Sequence, residues 1–124
     1  MSAVLLPLLF AILPAQTEPK PSPFARWEKA IAAIEERDRK RPPADGTVFF
    51  CGSSSIVLWK LEKSFPDRKV SNRGFGGSMI ADSTHFAARL ILPYRPSAVV
   101  FYAGDNDLAR GREPEQVADD FRAS

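Results

Sequence analysis

The chain has 124 residues, with 17 Lys and Arg against 15 Asp and Glu, a formal net charge of +2. That near balance excludes a strongly basic nucleic-acid binder and an acidic tail protein, and 44% hydrophobic with 26% charged residues excludes global disorder. One Cys and one His leave neither an internal disulfide framework nor a thiolate–imidazole zinc cage, and the length allows one domain on a prior of roughly 100–200 residues per domain.

Residues 3–15 read AVLLPLLFAILPA. This run is shorter than the ~20 residues a membrane-spanning helix needs, and it suits the apolar region of a secretory signal peptide with Ala15 as the small residue before the cut. An uncleaved anchor and a buried helix are the competing readings. The expectation is a leader over residues 1–15 and an exported protein, periplasmic or extracellular. Pro19, Pro21 and Pro23 then mark residues 16–23 as an extended tether, and the main domain spans residues 24–124.

From Phe24 the pattern turns helical: Phe24, Trp27, Ile31 and Ile34 recur three to four apart, with charged residues opposite, until Pro42 and Pro43 end the helix. Thr47–Cys51 is β-branched and aromatic and predicts a buried strand, with Cys51 as a small apolar filler. It runs into Gly52-Ser53-Ser54-Ser55 and a helix carrying Ile56, Leu58, Trp59, Leu61 and Phe65. A second strand near Lys69–Asn72 leads to Gly74-Phe75-Gly76-Gly77-Ser78 and a helix bearing Met79, Ile80, Phe86, Leu90 and Ile91. The third strand, Ala98–Ala103, is followed by Gly104-Asp105-Asn106-Asp107, and Pro114 opens a last helix over Glu115–Arg122.

Strand, turn and helix in alternation predict an α/β fold with a parallel sheet covered on both faces, a three-layer αβα, flavodoxin-like arrangement. In such sheets ligands bind beyond the carboxyl ends of the strands, and all three carboxyl ends here carry small polar residues. Ser54 sits where a strand-to-helix turn can present its Oγ beside free helix N–H groups, although Ser53–Ser55 also read as simple helix caps. Gly77 can bring a backbone N–H close to a ligand or merely permit a positive φ. Asn106 offers an amide donor or an Asx turn. The glycines of the second turn do not make a dinucleotide fingerprint, since position 79 is Met, and no Gly-Lys-Ser/Thr loop exists. Asp105 and Asp107 lack a second acidic cluster to hold a cation.

Together the three turns, GSSSI (52–56), NRGFGGS (72–78) and YAGDND (102–107), resemble the first three sequence blocks of the SGNH (GDSL-like) hydrolases, in the branch near the platelet-activating-factor acetylhydrolase subunits. The resemblance implies a serine esterase or acylhydrolase without cofactor or metal, acting on a small ester such as an acetylated carbohydrate or a short acyl ester. It implies Ser54 as nucleophile, with the Ser54 N–H, the Gly77 N–H and the Asn106 side chain as oxyanion hole. Ser53 stands where the common motif has Asp. The family's base lies in a later Asp-x-x-His block, whereas the sole His here, His85, falls on the helix between the second and third strands and reads as a helix-surface residue. The resemblance also implies five strands where three are legible, so the expectation is an N-terminal portion of such an enzyme. The rival expectations are an inactive remnant or non-catalytic acyl- or sugar-binding module, and a flavodoxin-like cofactor binder.

Overall fold

The computed structural model describes residues 19–124, so the leader expected over residues 1–15 lies outside the described part. Three strands, β1 (Val48–Gly52), β2 (Val70–Gly74) and β3 (Ala98–Tyr102), form one parallel sheet in the order β2-β1-β3. The predicted α/β class therefore holds. Gly52 at the end of β1 lies opposite both Gly74 and Tyr102, which brings the three carboxyl ends level.

Helices cover both faces. A 3-10 turn (Ala25–Trp27) leads into α1 (Glu28–Lys40), which closes at Arg41, just before the predicted Pro42 stop. With α4 (Ile80–Leu90), α1 builds one core around Ile31, Ile34, Phe75, Phe86 and Leu90. On the other face α2 (Ser54–Leu58) and α3 (Leu61–Ser64) place Ile56 and Leu61 on Phe50. The predicted single helix after Ser55 is thus two short ones. The break falls at Trp59, whose extended backbone (ψ 123°) interrupts the turn, and whose ring then packs on Phe50 and Phe65. The chain continues through a Leu92–Tyr94 turn, α5 (Asp105–Ala109) and α6 (Pro114–Ala123). No helix among the described residues is long and apolar enough to cross a membrane.

The strands are not uniformly apolar. β2 reads Val-Ser-Asn-Arg-Gly and runs two residues further than predicted. Arg73 belongs to it because its guanidinium is buried against Asp38 of α1 and lies over the rings of Phe49 (4.0 Å) and Tyr94 (4.7 Å). A buried charge survives only when paired. Cys51 is buried as expected, and burial pushes its thiol up to about 12.

Candidate active site

Backbone sterics fix where the three turns begin. Gly52 has φ +134°, and a Cβ there would lie 1.8 Å from the Tyr102 carbonyl oxygen, so only glycine lets β1 turn this close to β3. The freed strand end is stitched crosswise. Ser53 N–H donates to Tyr102 O (3.2 Å), Phe75 N–H to Gly52 O (3.0 Å), and Ser78 Oγ to Gly52 O (3.3 Å).

The three serines of the first turn divide by environment. Ser53 is fully buried and its Oγ donates to Asp105 Oδ1 across the third turn (3.3 Å). It occupies the N-cap position of α2 but makes no side-chain cap bond, so the capping alternative does not describe it. Ser54 is half-buried at the first position of α2, and Ser55 is exposed. The N–H of a first helical residue has no acceptor within its helix.

In the second turn Gly77 has φ +75°, a conformation that favours glycine whatever else it does, and a Cβ there would meet the Trp27 ring at 3.5 Å. Trp27 also packs edge-on against Phe75 (5.5 Å). Arg110 reaches the Gly77 carbonyl from the third turn (3.4 Å).

The third turn carries helix α5, although Gly-Asp-Asn-Asp reads as a turn in sequence. Asn106 is its second residue, and its Nδ2 donates to Ser78 O (3.0 Å) rather than forming an Asx turn. The amide's second proton stays available for another acceptor. Asp107 is buried and accepts the Ile80 N–H at the start of α4 (3.2 Å). Asp105 and Asp107, weighed in the sequence for a cation, instead tie the third turn to the first and second. Sequence reasoning missed both roles, and the two acids flanking Asn106 were the only signal for them.

Ser54, Gly77 and Asn106 therefore belong to turns that are hydrogen-bonded to one another at one sheet edge. His85 does not join them: it is exposed on α4 and stacks on Phe24 at 3.8 Å. A cavity of about 780 Å³ lies elsewhere, against the outer side of β2 and the end of α1, and is lined by Arg37, Pro43, Lys69 and Ser71 among others.

No protein-family model and no curated protein matches the chain. Among solved structures the chain is similar to one from Streptococcus pneumonia described as a "putative platelet activating factor", with 14% identity and a TM-score of 0.66 over 79% of this chain. The likeness covers 46% of that protein, so the chain spans about half the length of its structural neighbour. What the two share is a fold, and the polar turns described above lie at the carboxyl edge of its parallel sheet.

Proposed function

We propose that the chain is part of a serine carboxylic-ester hydrolase of SGNH type, with Ser54 as the attacking hydroxyl. The observation that carries this reading is the mutual hydrogen bonding of the three turns that bear Ser54, Gly77 and Asn106. In this reading the Ser54 and Gly77 N–H groups and the second proton of the Asn106 amide receive the negative charge that develops on an ester carbonyl oxygen. Ser54 is the serine of the three that is neither locked in a contact, as Ser53 is, nor fully exposed. The name of the structural neighbour supports a hydrolase reading at the coarse level. The substrate in this reading is a small ester, an acetylated carbohydrate or a short acyl ester, and the protein is exported by its apolar leader.

A general base for Ser54 is absent from the three turns, and a serine without one is a weak nucleophile at neutral pH. The base in this reading comes from an Asp-x-x-His block that this sequence does not contain. A site with its donors but without base and orienter still retains catalysis of roughly 10³–10⁴ over water. An alkyl fluorophosphonate should therefore modify one serine, slowly, and peptide mass mapping should place it at Ser54. Labelling that is undiminished in Ser54→Ala overturns the reading.

The position of His85, stacked on Phe24, favours a second reading: the chain as written binds an acyl or sugar group without turning it over. Turnover of p-nitrophenyl acetate that is lost in Ser54→Ala contradicts that second reading.

A further inference from the structure

We infer that the Ser53–Asp105 hydrogen bond is a positioning clasp that sets two of the proposed oxyanion donors relative to each other. This rests on the hydrolase reading above. The Ser54 N–H belongs to the peptide that joins residues 53 and 54, so its direction follows from the Ser53 backbone, held at φ −86° and ψ −160°. Ser53 itself is pinned at both ends: its N–H is on Tyr102 O and its Oγ on Asp105 Oδ1. Asp105 is the residue immediately before Asn106, and its backbone begins α5. One side-chain contact therefore joins the peptide that carries the first donor to the residue that precedes the second. Nothing else in the side-chain network links these two turns directly. Asn106 reaches the second turn through Ser78, and Asp107 reaches it through Ile80.

Burial makes the contact directional. Ser53 is fully buried, so its hydroxyl, once made, has no water to turn to, and losing the acceptor leaves a buried polar group unsatisfied. Asp105 is exposed and keeps its remaining acceptor sites in solvent. The pair needs one carboxylate and one hydroxyl, and burial places the carboxylate at the exposed position 105 and the hydroxyl at the buried position 53. Placing carboxylates at both positions sets two like charges in contact.

The test uses the 124-residue chain and an alkyl fluorophosphonate. In the adduct step Ser54 Oγ bonds to phosphorus, the P–F bond breaks, fluoride leaves and the hydroxyl proton passes to buffer. Ser53→Ala and Asp105→Ala should each slow the limiting modification rate about tenfold, below the roughly hundredfold cost of a ~1 Å misplacement, with the concentration for half-maximal rate unchanged. The double variant Ser53→Ala with Asp105→Ala should be no slower than either single one, as coupled residues require. Ser53→Asp should be slower still, because it sets a buried carboxylate against that of Asp105. Additive losses, or unchanged rates at equal folded fraction, would each overturn the clasp.

Backbone amide shifts of Ser54 and Asn106 give a readout that does not depend on reactivity. Asp105→Ala should move both signals, and a Ser54 signal that stays in place contradicts the inference. If Ser54 in the parent chain does not react at all, the hydrolase reading fails while these shifts still decide the clasp.

Discussion

β2 and β3 flank the same central strand, run in the same direction and have the same length, yet they meet their surroundings in opposite ways. The outer side of β2 is polar and occupied: Arg37 donates to Asn72 O (2.7 Å) and lies near Ser71 Oγ, and Arg73 is buried against Asp38. β3 reads Ala-Val-Val-Phe-Tyr, and Val99, Val100 and Tyr102 are 45%, 38% and 50% exposed on both sides of the strand. Phe101 finds one partner, the stacked ring of Phe121 from α6. Native sheet edges are usually blunted by charge, proline or a covering element. β2 has such protection, whereas β3 has only the Phe121 ring over Phe101 among the described residues. The candidate site hangs between them, since Gly52 meets Gly74 on one side and Tyr102 on the other.

Substitutions can break that contrast at points of decreasing consequence. Gly52→Ala should be the most damaging, because its Cβ would lie 1.8 Å from the Tyr102 carbonyl oxygen, whereas a Cβ at Gly74 on β2 would meet Ile56 and the Val57 N at 2.9 Å. Thermal unfolding should report a loss above about 4 kcal/mol, and hydrogen exchange in any residual folded state should rise in β3 before β2.

On the protected side, Asp38→Ala strands the Arg73 charge in the core and should cost about 3–5 kcal/mol by urea unfolding. Replacing Arg73 and Asp38 together by Met and Leu should cost distinctly less, because no charge is then left unpaired. On the bare side, Val100→Lys should change stability by within about 1 kcal/mol but should reduce concentration-dependent association in sedimentation velocity. Ser71→Lys on β2 should leave association as it is.

The smallest effect belongs to the surface ion pairs away from both edges. Hydrogen bonds from Arg89 hold the Glu35 carboxyl below its ordinary range. The pair therefore stabilises the fold at neutral pH and loses that contribution as the pH falls through the lowered Glu35 value. Glu35→Gln should cost less than about 1 kcal/mol at pH 7, and the difference from the parent chain should shrink in acid.

Much of this architecture was legible from residue pattern alone. Phe49, Phe50 and Cys51 mark a buried strand, and the three small-residue turns at strand ends point to one edge. What stayed hidden depended on partners far along the chain. Arg73 looks like a loop residue until Asp38, 35 positions earlier, neutralises it. Helix α5 was missed because Gly-Asp-Asn-Asp reads as a turn, and its acids are satisfied by Ser53 and Ile80 from other segments. Trp59 breaks α2 from α3 through contacts with Phe50 and Phe65 that no local periodicity encodes.

The proposed site requires the carboxyl-end turns to meet, and nuclear Overhauser contacts in the labelled chain test that without reference to activity. Cross-peaks should connect the Asn106 side-chain amide protons with Ser78, and the Ser78 side chain with Gly52. Asn106 amide protons that show neighbours only within α5 would contradict it.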